Sequence, residues 1–250
     1  MVTMHIMGGL GNIMFQIAFI ESLGKRYSLD VGYSNVQENQ AILRTMGRFE
    51  SFDICDIFRN VDLRKEGYHN KRRVISHTYE EIIPNDGTLY VGYAVSEKNF
   101  YSREFILWLF EPADFIKKEL TNYDFSDFTS IHVRRTDYIN NPGFVNLGKE
   151  YYNRAIEFIG DSDYLVFSDD IDWCKTIFKG DEFFFGHGAE YMDLYLMSKC
   201  KNNIIANSTF SWWAAYLNDN PGKKVIAPKE WVADGRCTTD ELIPGEWIQI

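Results

Sequence analysis

Two arginines and an aspartate close a short apolar run in Ser130-Ile131-His132-Val133-Arg134-Arg135-Thr136-Asp137-Tyr138. If Thr129–Val133 is a strand, alternation puts Ile131 and Val133 on one face and His132 and Arg134 on the other. An arginine at a strand end can fork two hydrogen bonds onto a phosphate. The plainer use is a surface ion pair between Arg135 and Asp137, worth little alone. The two uses are compatible, with Arg135 held structurally while Arg134 faces a ligand. A second run, Ala206-Asn207-Ser208-Thr209-Phe210-Ser211-Trp212-Trp213, opens a helix after a strand. Asn207, Ser208 and Thr209 are all good N-cap residues. The same hydroxyls, with the N–H groups at a helix's positive end, also suit a phosphate. Trp212 and Trp213 read as core.

Two further segments are weaker alone. Phe167-Ser168-Asp169-Asp170 is either a helix cap with acidic first-turn residues or a carboxylate for a ribose or a base. Gly8-Gly9-Leu10-Gly11-Asn12 sits between a strand and a helix, where backbone can approach a ligand. Met14 stands where a dinucleotide fingerprint needs Gly or Ala, and no Gly-Lys-Ser/Thr follows. The glycines equally serve a tight turn. Asp161-Ser162-Asp163 and Asp170-Ile171-Asp172 spell the acidic pair of metal-dependent sugar transfer, but chance matches are expected in so acidic a chain, and the reading assigns no metal. His5, His69, His77 and His187 have no suggestive partners and read as packing or surface residues.

These segments need elements to hold them. Short apolar runs alternate with helical periodicity, which predicts α/β architecture. Strands are expected at Val2–Met7, Leu29–Tyr33, Leu89–Val95, Thr129–Val133, Tyr164–Phe167, Asn203–Ala206 and Lys224–Ala227. Helices are expected at Asn12–Tyr27, Phe100–Phe110, Glu150–Ile159, Ile171–Phe178, Glu190–Lys199 and Phe210–Leu217. The stretch 35–77 shows no clear period. Pro112 and Asn122–Asp127 suggest a division into residues 1–121 and 122–250. Three polar clusters fall at carboxyl ends of strands in the second half, the place where open α/β sheets bind ligands.

Composition narrows the function. The chain has 250 residues, with 26 Lys+Arg against 36 Asp+Glu and a net charge of −10. Such a surface disfavours nucleic acid and anionic membranes as partners, but not a small anion held by local cations. The four cysteines, Cys55, Cys174, Cys200 and Cys237, are far apart and read as free thiols in a reducing compartment. No stretch reaches the ~20 apolar residues of a membrane span, and no signal peptide is evident. The expectation is a cytoplasmic protein.

Together the segments resemble glycosyltransferase family 11, the α-1,2-fucosyltransferases. Gly8-Gly9-Leu10-Gly11-Asn12 with Met14-Phe15-Gln16 resembles the family's glycine motif. His132-Val133-Arg134-Arg135-Thr136-Asp137-Tyr138 resembles its H-x-R-R-x-D motif, and Asn207 to Ala215 its C-terminal motif. Ile13 and Thr136 depart from the family's usual Gln and Gly. The resemblance implies a GT-B-type α/β fold, two Rossmann-like halves with a cleft between them. The second half would hold GDP-fucose, and the first would mainly shape the acceptor side. It implies metal-independent, inverting transfer of L-fucose to a galactoside hydroxyl, with no cofactor beyond the GDP-fucose donor. Alternatives are another GDP-sugar, an α-1,6 linkage, or a non-catalytic sugar- or nucleotide-binding protein.

By the same resemblance, Arg134 would clamp the β-phosphate while Arg135 and Asp137 shape the strand end by pairing. Asn207, Ser208, Thr209 and Ser211 would surround the phosphates. His132, Asp169 or Asp170 would lie near the nucleoside, and Gly9, Gly11 and Asn12 would let backbone approach the donor. Asp137 is a candidate base for the acceptor hydroxyl. The glycan acceptor itself is not specified.

Overall fold

Strands whose residues are buried on both faces belong in parallel sheets covered by helices, and the burial here has that form. All five residues of Thr129–Val133 are buried, as are Val225–Ala227 and three of the four in Val2–His5. The computed structural model describes residues 1–48, 52–77, 79–186, 188–233 and 239–250. The chain divides into two units, Met1–Lys117 and Lys118–Ile250; the sequence reading places the division after residue 121.

The first unit runs β1 (Val2–His5), α1 (Leu10–Tyr27), β2 (Val31–Ser34), α2 (Val36–Thr45), β3 (Lys71–Val74), β4 (Thr88–Val91) and α3 (Arg103–Leu109), and α4 (Asp114–Leu120) leads out of it. Its sheet has the order β2-β1-β4-β3, all parallel. The 18-residue α1 buries Ile13, Phe15, Ile17, Ile20 and Leu23. It stops at Ser28, which takes the left-handed conformation and returns its N–H to the Gly24 carbonyl.

The second unit runs β5 (Thr129–Val133), α5 (Lys149–Ile159), β6 (Tyr164–Ser168), α6 (Ile171–Ile177), β7 (Phe183–Phe185), α7 (Glu190–Lys199), β8 (Asn202–Ile204), α8 (Thr209–Leu217), β9 (Val225–Ala227), α9 (Thr239–Leu242) and β10 (Ile248–Gln249). The six strands are parallel in the order β10-β9-β8-β5-β6-β7. That is the doubly wound, Rossmann-like order. Ile131, Val133, Val166, Ile204 and Ile226 form one wall of its core against Tyr151, Tyr152 and Ala155 of α5. Trp212 and Trp213 are fully buried, as the sequence predicts, and the Trp212 indole N–H donates to the Leu242 carbonyl at 2.8 Å.

A buried amide network sits beneath β5 and β8. Asn203 Nδ2 donates to Ser130 Oγ and to the Met197 carbonyl, each at 2.8 Å. Asn218 Nδ2 donates to Asn203 Oδ1 and to the Cys200 carbonyl, also at 2.8 Å. Cys55, Cys174 and Cys200 are buried free thiols. Burial pushes the Cys200 thiol up to about 12, which keeps it protonated and inert. Cys237 and His187 lie outside the described residues.

Candidate functional site

The chain leaves β5 toward β6 and β7, then returns to place β8 on β5's other side. The segments that follow β5 and β8 therefore part company at their carboxyl ends, which makes a topological switch point. Parallel register (Ser130↔Asn203, Ile131↔Ile204) sets these ends side by side. Arg134 is the first residue past β5, and Ser208 caps α8 past β8.

Arg134 is held by two carboxylates. Nη2 lies 2.8 Å from an Asp137 carboxylate oxygen and Nη1 3.1 Å from one of Asp169. Burial opposes its charged form, but Asp169 and Asp137 outweigh burial and raise its pKa above the usual guanidinium value. The pairing expected between Arg135 and Asp137 is not the one formed. Arg135 Nε instead donates to Asp170 at 3.1 Å, and its guanidinium lies 3.9 Å from the Trp173 ring centroid. The reason is the turn after β5, where the N–H groups of Tyr138 and Ile139 both donate to the Arg135 carbonyl. That turn brings Asp137 back under Arg134 and directs Arg135 toward α6.

The two aspartates after β6 serve this turn. Asp169 Oδ1 accepts from the Arg135 N–H at 2.9 Å. Its Oδ2 accepts from the Thr136 hydroxyl at 2.6 Å and the Thr136 N–H at 3.3 Å. Asp170 accepts from Arg135 and caps α6 through the Trp173 N–H at 3.1 Å. His132, 6% exposed, has a buried Nδ1 with no hydrogen-bond partner among the described residues. Burial drives its pKa down to about 3, with Asp169 opposing and Arg134 reinforcing, so the ring is neutral at pH 7.

At β8's end, Asn207 uses its amide on protein carbonyls. Nδ2 donates to Val145 O and Trp231 O, both at 2.8 Å, and its buried Oδ1 has no partner among the described residues. Ser208 Oγ accepts from the Phe210 N–H at 3.3 Å, an ordinary N-cap bond. Ser211 Oγ is buried and turned to the Ala206 and Ser208 carbonyls. Thr209 opens α8, half-buried. Neither Asp nor Glu occupies the first turn of α8, so the helix's positive end is not offset there.

Sequence reasoning missed Asp193 and Glu190, which stand in the first turn of α7 at the carboxyl edge of β7. Asp193 Oδ1 is buried with no hydrogen-bond partner among the described residues. Burial first, then the neighbouring Glu190 charge, push its carboxyl up to about 7, while the Gly188 N–H pulls the other way. The only signal in the sequence was two acids in the first turn of a helix that is apolar from Leu194 to Met197. A carboxyl with an unfolded value near 3.8 and a folded value of about 7 binds its proton more tightly when folded. Its stabilisation is therefore complete below about pH 4 and lost as pH rises through about 7. Asp193→Asn should flatten that decline, gaining stability over the wild type at pH 8 but not at pH 4. Urea midpoints for both proteins at the two pH values measure this.

In the first unit, α1 begins at Leu10, so Leu10 and Gly11 lie in its first turn and not in the glycine turn expected to precede a helix from Asn12. Gly8 and Gly9 make the turn. Asn39 pins Gly8 by accepting its N–H at 2.9 Å and donating to its carbonyl at 3.0 Å. Gln16 closes the strand end, accepting from the Met7 N–H at 3.0 Å and donating to the Met7 and Gly92 carbonyls. The two glycines are glycine for different reasons. Gly8 has φ +82°, a left-handed conformation. Gly9 is extended, and a Cβ there would meet the end of the Arg48 side chain at 2.7 Å. Gly8→Ala should destabilise by about 1–2 kcal/mol. Gly9→Ala should stay within about 0.5 kcal/mol, because the end of a long side chain can move aside. Chemical denaturation separates the two.

Of the acidic pairs, Asp161 and Asp163 precede β6, at the opposite edge of the sheet from Arg134. Among the described residues, no three His, Cys, Asp or Glu side chains group closely enough to share a metal ion, and no helix is long and apolar enough to cross a membrane.

Residues 1–250 match glycosyl transferase family 11. The chain is 30% identical over 286 aligned positions to an Escherichia coli α-1,2-colitosyltransferase, covering 100% of this chain and 98% of that protein. It is 41% identical over 135 residues to the O-antigen biosynthesis glycosyltransferase WbnK of E. coli, covering 49% of this chain and 44% of WbnK. Among solved structures it is similar to Arabidopsis thaliana FUT1 in complex with GDP, with TM-score 0.54 and 13% identity, over 99% of this chain and 75% of that one. The last likeness is one of fold, and identifies the α/β units as GT-B-type. A family match over residues 1–250 places the chain in glycosyl transferase family 11, a family of glycosyltransferases.

Proposed function

We propose that the chain transfers L-fucose from GDP-fucose to a galactoside hydroxyl, forming an α-1,2 linkage with inversion and without a metal ion. One observation carries the reading: Arg134 and the amino end of α8 lie on adjacent strand ends at the switch point. Cleaving a sugar–phosphate bond leaves new negative charge on the diphosphate while the sugar becomes oxocarbenium-like. Donors already aimed at that charge stabilise it without reorganising. Arg134 has N–H groups beyond the two that meet Asp137 and Asp169, and these would take the β-phosphate. The N–H groups of Thr209 and Phe210, with the Ser208 and Thr209 hydroxyls, would take its other oxygens. Ser211, its hydroxyl turned to the Ala206 and Ser208 carbonyls just before its helix, would keep that end in shape.

The nucleoside side is proposed from two buried atoms. Neutral His132 offers Nδ1 to a ribose hydroxyl, and Asp193 offers Oδ1 to the N–H edge of guanine. Asp169 and Asp170 are scaffold for the arginines. A second reading, transfer of another sugar, is favoured by the full-length relative being named an α-1,2-colitosyltransferase.

The test is incubation with GDP-fucose and a panel of galactosides, with and without EDTA, followed by linkage analysis. The expected product carries α-1,2-linked fucose and forms at the same rate in EDTA. Loss in EDTA with recovery in Mn²⁺ would overturn metal independence. GDP binding without turnover of any GDP-sugar would overturn the transferase reading.

A further inference from the structure

Tyr138 joins the two halves of the proposed phosphate site. Its hydroxyl donates to the Asn207 carbonyl at 3.1 Å, immediately before the cap of α8. Its ring lies 5.7 Å from the Arg134 guanidinium carbon, within cation–π range. The ring also stacks on Phe144, with centroids 4.1 Å apart and 7° between the planes. Its backbone N–H closes the turn on Arg135. Fixed from each side, the ring has little freedom to move.

The anchor it reaches is equally constrained. Asn207, 1% exposed, ties down Val145 and Trp231 with one amide nitrogen. Phe144 bridges to Val232, and the Ala233 N–H donates to the Gly143 carbonyl at 3.1 Å. The segment from Tyr138 to Val145 is therefore clamped at both ends to the residue that precedes the α8 cap.

We infer that Tyr138 is a positioning residue, its hydroxyl bond to Asn207 and its ring beside Arg134 holding the guanidinium in register with the amino end of α8. This rests on the proposed role of Arg134. A plain packing role would need the ring and its stack but not the hydroxyl. Tyr138→Phe keeps the ring and removes one hydrogen bond.

The experiment compares wild type, Tyr138→Phe, Arg134→Ala and the double variant, using GDP-fucose, a galactoside acceptor and GDP titration. Tyr138→Phe is expected to lower kcat about three- to tenfold, the range for one hydrogen bond. The acceptor KM and the thermal midpoint should stay at wild-type values. In the Arg134→Ala background the same change should have no further effect, because the hydroxyl acts by holding the amino end of α8 in register with that guanidinium. Wild-type kcat in Tyr138→Phe, or an equal loss in both backgrounds, overturns the inference. The two failures are separable: an Arg134→Ala enzyme at the wild-type rate sinks the phosphate reading itself. A crippled Arg134→Ala with an unaffected Tyr138→Phe sinks only the positioning role.

Discussion

Arg134→Ala should lower kcat at saturating donor by about 10²–10³-fold, the effect of removing one pre-aimed donor from a developing anion. The fold should survive the change. Asp169 keeps its three bonds to Arg135 and Thr136, and Asp137 is 59% exposed and can be solvated. Arg134→Lys restores the charge but not the fork, so it should recover only part of the rate. Initial rates of product formation, with thermal melting as the control for folding, check both. A wild-type rate for Arg134→Ala would remove the residue from the mechanism.

Asp169→Ala should damage stability more than any other single change at the site. Its carboxylate serves two backbone N–H groups, one hydroxyl and the Arg134 guanidinium. Removing it leaves those donors without their acceptor, and Arg134 keeps only Asp137. Breaking a well-buried charge pair costs about 3–5 kcal/mol. With both side chains 20% exposed, water makes up part of the loss, and about 2–3 kcal/mol is expected. Asp169→Asn retains one carbonyl oxygen and should lose roughly half as much. Urea unfolding measures both, and a change under about 0.5 kcal/mol for the alanine variant would contradict this account.

Much of the second unit was legible because β6 and β9 are apolar runs and α6 and α8 begin on side-chain caps, Asp170 and Ser208. Thr129–Val133 and Glu190–Lys199 match the expected bounds residue for residue. The first unit was harder. In the stretch 35–77, α2 buries Val36, Asn39, Gln40 and Leu43, and the two amides among them hide the helical period from an apolar pattern, while β3 is an edge strand with three of its four residues exposed. β7 and β10, of three and two residues, are too short for a period to show. The motif residues were found, but not their partners. Spacing suggested Arg135 with Asp137, whereas the turn pairs Arg134 with Asp137 and sends Arg135 to Asp170. Asn39, which holds the glycine turn, acts across a separation of 31 residues that no local pattern encodes.

The amide network beneath β5 and β8 works as a ruler. One slip of β8 along β5 would shift the amino end of α8 by about 3.3 Å and turn each inward side chain outward. Asn203 forbids that slip, since its amide must meet Ser130 on one side while its oxygen receives Asn218 on the other. Alignment at the carboxyl ends is thus graduated inside the sheet, and Asn203→Leu would disturb the register of Arg134 with α8 from a buried position.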